Sequence, residues 1–260
     1  MKRKTLAIPV RLVNFSDTSQ VLTLFTRDQG LVEAIAKGAH REKNAFQGPF
    51  DLAVLSEIVY VERAPDRGLA ILVEASVVDG FRGMRGSWRS WAGAAFVLEY
   101  LRVVGTRGES AAELFDLARR TLSRLARLSD PAGRAEAVEA VVSVFEARAL
   151  RILGFSAPVV ACAGCGRRWS RSERPVFFSP GHGGILCGRC REREPDRRGL
   201  AVPGAVVRTL DALAGAPPER EDEAAAAIDA FLLPSLRRLL DLQRTFALER
   251  ELGMLKFLPL

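Results

Sequence analysis

All four cysteines of this 260-residue chain fall in one stretch, as Cys162-Ala163-Gly164-Cys165 and Cys187-Gly188-Arg189-Cys190. A two-residue gap lets both thiolates of a pair face one ion, and two pairs supply the four-sulfur tetrahedron that a structural zinc prefers. The spacer from Cys165 to Cys187 is near that of a zinc ribbon, and Gly164, Gly166 and Gly188 permit tight backbone around each pair. The expected metal ligands are therefore Cys162, Cys165, Cys187 and Cys190, and the expected cofactor is a structural Zn2+. A degenerate site, or disulfide and redox chemistry, is the other use of the same residues. His182 lies just ahead of the second pair, but four cysteines leave it no vacancy. Four thiolates close the coordination sphere, so the metal points to folding rather than to catalysis.

The remaining chemistry is cationic. Lys37, His40, Arg41 and Lys43 share one polar loop, with Arg27 on the adjoining turn. Beside a nucleic-acid groove such a loop holds phosphates; otherwise it is charged for solubility. Phe46 and Phe50 follow, able to stack on bases but more readily explained as core residues. A second basic cluster surrounds the cysteines: Arg167, Arg168, Trp169, Arg171 and Arg174, then Arg189, Arg191 and Arg193. Cations flanking an aromatic suit single strands. Against that, Glu192, Glu194 and Asp196 dilute the field, and Trp169 can simply cover the metal lobe. Arg119 and Arg120 form an adjacent pair on a predicted helix and are candidates for an acidic protein partner. Trp88 and Trp91, at helical spacing, are assigned to the core. No GxxxxGK[ST], HExxH or GxSxG motif is present, and the two histidines have no carboxylate cluster around them. The chain is read as non-enzymatic.

These residues need elements to hold them. Residues 5 to about 80 read as five short strands: Leu6–Val13 with Pro9 suggesting an edge, Val21–Thr26, Leu31–Ala36, Ala53–Val61 and Leu69–Val78. Asp66-Arg67-Gly68 is the turn between the last two. Five strands without intervening helices suggest a small closed barrel, and an OB-fold is the natural candidate, whose face and loops commonly hold nucleic acid. After Gly80 the period changes to 3.6, with Trp88, Trp91, Ala95 and Leu98 on one stripe. Ser110 and Glu113 form a capping-box pattern for a helix reaching about Leu128. Asp130-Pro131 opens the next helix, with Val138, Val141, Val142, Phe145 and Ala149 buried and Gly154 as its C-cap. Helices resume near Val202–Leu213 and Glu221–Leu233, and Pro234 opens the last one. The expected class is α+β: a five-stranded OB-fold barrel over residues 1–80, a helical domain over 81–157 and 199–260, and a four-cysteine zinc module inserted at 158–198.

The net charge of +7 is attractive to nucleic acid, anionic membranes or acidic protein tails. Lys2-Arg3-Lys4 looks like the start of a signal peptide, but Pro9 and Arg11 break the apolar run too early, and no apolar run reaches a membrane span. A cytoplasmic location is expected, in keeping with paired cysteines that hold metal in a reducing compartment.

In these residues and motifs, the chain resembles the RecO family of bacterial recombination mediators along nearly its whole length. Thr23-Leu24-Phe25-Thr26 with Gly30, then Ala36-Lys37-Gly38-Ala39, resembles the family's N-terminal hairpin and basic loop, although His40 and Glu42 dilute the charge here. Phe145-Glu146-Ala147-Arg148, Leu153-Gly154-Phe155 and Pro158 resemble the helix that leads into its cysteine segment. The cysteine frame with Phe178 and Gly183-Gly184 resembles its zinc module, and Leu252-Gly253, Leu255-Lys256 and Phe257-Leu258 resemble its last helix. The resemblance implies a nucleoid-associated, non-enzymatic DNA repair protein. It would bind single- and double-stranded DNA, anneal complementary strands, act with RecR, engage the acidic tail of single-stranded DNA-binding protein and help load RecA. The alternative is a zinc-ribbon transcription or translation factor without annealing activity, and a metal-dependent or redox enzyme is a third class.

Overall fold

The computed structural model describes residues 1–46, 48–63, 68–128, 135–156, 159–169, 175–193 and 198–258. Asp66-Arg67, Asp130-Pro131 and Pro158 lie outside these. The chain divides into two compact units, residues 1–131 with 254–257, and residues 132–253 with 258–260.

The first unit is built on β1 (Lys2–Asn14), β2 (Gln20–Thr26), β3 (Gly30–Ala36), β4 (Leu55–Val61) and β5 (Ala70–Asp79). They close into a barrel in the order β1-β2-β3-β5-β4, with β3 parallel to β5 and the other pairs antiparallel. This is the expected OB-fold architecture. Its core is small and alternating: Ala7, Leu22, Leu24, Ala34, Ile58, Tyr60 and Leu72 point inward, as the two-residue period of a pleated strand requires. Pro9 does not mark an edge. β1 pairs with β2 on one side and, from Lys2 to Ala7, with β4 on the other; the proline lies just beyond the last β4 partner, at a bulge in the β2 register between Pro9 and Arg11. The basic triplet at the start is strand, and each cation has a cross-strand acid: Lys2 with Glu74 (3.4 Å), Arg3 with Glu62 (2.7 Å) and Lys4 with Glu57 (2.8 Å).

Two helices belong to this unit, α1 (Trp88–Val104) and α2 (Ala112–Arg127). Phe25 turns to the barrel exterior and packs beside Phe115 of α2, ring centroids 6.3 Å apart. Gly30 is left-handed (φ 59°), and a Cβ there would stand 2.1 Å from the carbonyl oxygen of Thr106. That oxygen accepts the Leu31 amide at 2.8 Å, so glycine is required where the chain after α1 crosses the hairpin. Two helical expectations need correction. The cap residue of α2 is Ala111, with no side-chain cap; its amide is satisfied by the carbonyl of Arg27 (3.1 Å), so a tertiary contact replaces the Ser110 capping box. α1 buries Ser90, Ala92, Gly93, Ala94, Phe96, Val97, Leu98, Tyr100 and Leu101, more than one face, whereas Trp88 is 61 % exposed and Trp91 half-buried. Trp88 is the first helical residue and is exposed although Ser87 and Ser90 of the same turn are buried, and the side chains of Arg89 and Arg85 lie over the rings of Trp88 and Trp91.

The second unit centres on α3 (Ala135–Ile152), around which α5 (Gly204–Gly215), α6 (Glu221–Ala226) and α7 (Leu233–Leu248) pack. Every residue from Val138 to Leu150 is buried. Gly154 (φ 85°) ends the helix as expected. Phe155 donates to Leu150 (2.8 Å) and Gly154 to Arg151 (3.0 Å), the paired bonds of a Schellman motif. The helix expected over Glu221–Leu233 stops at Ala226, because the Asp229 side chain accepts the Phe231 amide (3.0 Å) and diverts the backbone into a short 3-10 turn. Leu236, Leu239 and Leu240 of α7 are fully buried. The terminal motif at 253–257 is a 3-10 turn rather than part of the last helix.

A helix buried all round must also bury its charges. Glu146 is 0 % exposed and accepts from Arg244 (2.7 Å) and Arg237 (3.2 Å). Asp241 joins both arginines, and Glu139 lies 3.7 Å from Arg237. Burial, with added repulsion from Glu146 and Asp241, outweighs Arg237 and pushes Glu139 up to about 7. A separate buried pair joins Arg148 to Glu221 (3.1 Å), and Arg148 also donates to the carbonyl of Ala216.

Candidate metal centre and basic surfaces

The metal lobe sits between α3 and α5 in the chain. It comprises a three-stranded sheet, β7 (Gly184–Leu186), β6 (Val176–Ser179) and β8 (Leu200–Val202), and the short helix α4 (Gly188–Arg193). The first cysteine pair forms a miniature hairpin: Cys162 N–H donates to Arg167 (2.9 Å) and Gly166 N–H to Cys162 (2.8 Å), with Ala161 bridged to Arg168. Ala163 donates to Ile185 (2.8 Å), which ties this hairpin to the strand entering the second pair. Gly166 is left-handed and Gly164 faces Cys190, whose Sγ would lie 3.2 Å from a Cβ; Gly188 meets no such crowding.

This local geometry brings all four Sγ atoms within 4.8 Å of one another. The Cys165 and Cys187 sulfurs are 3.8 Å apart, far beyond a disulfide bond of about 2.05 Å. A tetrahedron of sulfurs each about 2.3 Å from an ion has edges of about 3.8 Å, so the cluster has the dimensions of a four-thiolate metal site. Its protons are unevenly held. Burial raises the Cys162 thiol, but the amides of Cys187, Cys165 and Gly164 and the Cys165 thiol outweigh it and bring it down to about 6. Hydrogen bonds from Cys165 and Cys187, aided by burial, push Cys190 up to about 12. A cation entering such a set displaces protons. His182 stands outside the cluster, with Nδ1 2.8 Å from Ser179 Oγ.

The basic loop follows β3. Ala39 is buried, whereas Lys37, His40, Arg41 and Lys43 are exposed. Asn44 holds the loop's shape: its Nδ2 donates to the carbonyls of Ala39 (3.2 Å) and Arg41 (2.6 Å), and its Oδ1 accepts the amides of Phe46 (2.8 Å) and Gly48 (3.2 Å). His40 ties it to the β1–β2 turn through its amide to Thr18 (3.1 Å) and its Nε2 to Asn14 (3.2 Å). That turn carries Phe15, 68 % exposed and absent from the sequence reading. An aromatic beside Ser-Asp-Thr-Ser, where a turn needs no apolar residue, was the available signal. Phe46 and Phe50 pack in the barrel core with centroids 5.4 Å apart. Arg27 is engaged by Asp116 of α2 at two points, 3.3 and 3.0 Å.

Around the metal lobe Arg167 and Arg168 are exposed and Trp169 is half-buried against the core; Arg171, Arg174, Glu194 and Asp196 lie outside the described residues. Arg189, Arg191 and Arg193 are exposed on α4, with Arg191 over the Phe177 ring at 4.4 Å. Arg119 and Arg120 are half-buried on α2 rather than freely exposed. Among the described residues, no helix is long and apolar enough to cross a membrane.

Two family models together match most of the chain: "Recombination protein O N terminal" over residues 1–81 and "Recombination protein O C terminal" over residues 85–251. A protein of Rhodopirellula baltica named DNA repair protein RecO is 36 % identical over 186 residues, covering 72 % of this chain and 66 % of that protein. Proteins of the same name from Anaeromyxobacter dehalogenans and Desulforudis audaxviator are 32 % and 30 % identical, covering 93 % and 84 % of this chain and 94 % and 81 % of theirs.

Proposed function

The chain belongs to the recombination protein O family of DNA repair proteins, and on that premise we propose that it is a non-enzymatic mediator that binds single- and double-stranded DNA and anneals complementary strands. The observation that supports this most directly is the exposed set Lys37, Arg41 and Lys43, held by Asn44 on an OB barrel and tied through His40 to the turn that presents Phe15. The cations neutralise phosphates, which carry no sequence information, and the exposed ring gives an unpaired base a stacking face. Two strands held this way, with bases unread by hydrogen bonds, are free to find their complements. Arg27 plays the smaller electrostatic part, since Asp116 already partners it.

The metal is zinc, held by Cys162, Cys165, Cys187 and Cys190 as a structural staple. Nucleic-acid binding is assigned to residues 1–80, the staple to 158–198 and partner docking to the helices of 81–157 and 199–260. RecR and the acidic tail of single-stranded DNA-binding protein are the proposed partners, with Arg119 and Arg120 of α2 supplying cations for the tail carboxylates, in a cytoplasmic protein that helps load RecA. Strand annealing with two complementary oligonucleotides tests this function. Annealing above the spontaneous rate that falls in the Lys37→Ala/Arg41→Ala variant supports it. Binding without acceleration of annealing would instead indicate a zinc-ribbon factor of the transcription or translation kind.

A further inference from the structure

A groove of about 660 Å³ opens in the second unit between the first cysteine hairpin and α5, lined by Val160, Ala161, Arg168, Trp169, Arg208 and Ala212, a size in the range of ligand pockets. It joins three features that the metal staple does not use. The Nη1 atom of Arg208 is buried and has no hydrogen-bond partner, although a guanidinium offers five donors and buried donors are ordinarily satisfied. Arg168 stands exposed across from it on the hairpin, whose position is fixed by the Trp169 amide donating to Val160 (3.1 Å). Between them Trp169 keeps part of its surface free at the groove while the rest packs on the core. Among the described residues of the lining, Asp211 is the single carboxylate, set against two guanidinium groups.

We propose that this groove is a second contact for single-stranded nucleic acid, in which a base lies against Trp169 and the adjoining phosphate is held by Arg208 and Arg168. A planar apolar face beside a forked cation matches a nucleotide unit. The exposed Arg167, Arg189, Arg191 and Arg193 on the same lobe suit a ligand whose charge repeats along its length better than one carrying a single terminal carboxylate. The inference rests on the reading of the chain as a nucleic-acid binder, but it places a contact where the barrel loop does not reach by sequence, on a separate compact unit.

The chain has three tryptophans, so a full-length Trp88→Phe/Trp91→Phe variant reports on Trp169 alone. Titrating it with an oligothymidylate is expected to quench Trp169 emission as the base stacks. Arg208→Gln is expected to abolish the quench and weaken binding about tenfold, the loss of one charge-assisted contact. It should leave the melting temperature and metal content unchanged, because the lost donor was unsatisfied in the free protein. Lys37→Ala/Arg41→Ala in the same background should weaken binding yet keep the quench at saturation. Should that loop variant bind as the parent does while the quench still depends on Arg208, the groove stands and the loop assignment falls. Unchanged Trp169 emission at saturating oligonucleotide overturns the groove while leaving the loop intact. A quench given by an acidic peptide and not by the oligonucleotide overturns it as well. The tryptophan signal of the unsubstituted groove decides the matter even if Arg208→Gln fails to fold.

Discussion

The two compact units are stabilised in opposite ways. In the first unit the barrel buries a small, alternating apolar core and leaves its cross-strand ion pairs to solvent, with Lys4 and Glu57 63 % and 44 % exposed. The helical unit wraps other elements around α3 so completely that Glu139, Glu146, Arg237 and Arg244 are at most 5 % exposed at the side chain, and it carries a four-cysteine cluster beside that core. Closing a sheet on itself satisfies backbone groups by pairing alone. A helix surrounded on all sides, and a short lobe with little apolar surface, need specific polar and metal contacts instead. The helical unit is thus the one that loses most when a polar contact is removed.

The largest break in this comparison is expected at the metal. Cys165→Ser removes one of four ligands, and for structural zinc sites the binding free energy, about 10–16 kcal/mol, is folding free energy. Metal content should fall, and amide exchange should rise across α3, α5 and the lobe while β1 to β5 keep their protection. Uniform loss of protection in both units would show that they are not independently held.

The next contrast sets a buried charge against exposed ones. Glu146→Ala removes the fully buried carboxylate shared by Arg237 and Arg244, leaving them the part-exposed Asp241, and is expected to cost about 3–5 kcal/mol, whereas Lys4→Ala in the barrel should cost about 1 kcal/mol or less. Denaturant titrations of the two variants give both numbers, and similar costs would remove the distinction. Glu139 sharpens the same point through pH. Its pKa is raised from near 4.5 to about 7, so its contribution is complete below about 4.5 and is lost as pH rises through 7. Glu139→Gln lacks this loss. Relative to the parent it should therefore be neutral at low pH and gain stability as pH rises, by at most about 3 kcal/mol. Parallel pH–stability curves for the two proteins would contradict that assignment.

Much of this architecture was legible in the residues themselves, and the part that was not has a physical reason. β-Branched alternation and Gly-containing turns specify a strand locally, so Val21–Thr26 and its partner stand close to where the pattern places them, and two CxxC pairs specify a metal cluster by spacing alone. Contacts across long separations leave no local trace. Arg27 and Asp116 are 89 residues apart, and nothing near either announces the other. Glu146 and Arg244 read as ordinary helix charges until the surrounding helices bury them. Trp88 illustrates the converse: its spacing fits a helical stripe, but in the first turn of α1 Ser87 and Ser90 are buried and Trp88 is not. Phe15 escaped because a single aromatic in a turn carries no period.

The central claim is that the barrel loop holds nucleic acid by its phosphates, and the salt dependence of single-strand binding tests it most directly. Affinity for oligothymidylate and for a mixed-sequence strand should be nearly equal and should fall with salt, with a log–log slope of about −0.7 per neutralised phosphate. In Lys37→Ala/Arg41→Ala, folded as the parent, the slope should become shallower by about 1.4, with an affinity loss shared by both sequences. Parental affinity and slope in the folded double variant would contradict the account and leave the loop a solvated surface.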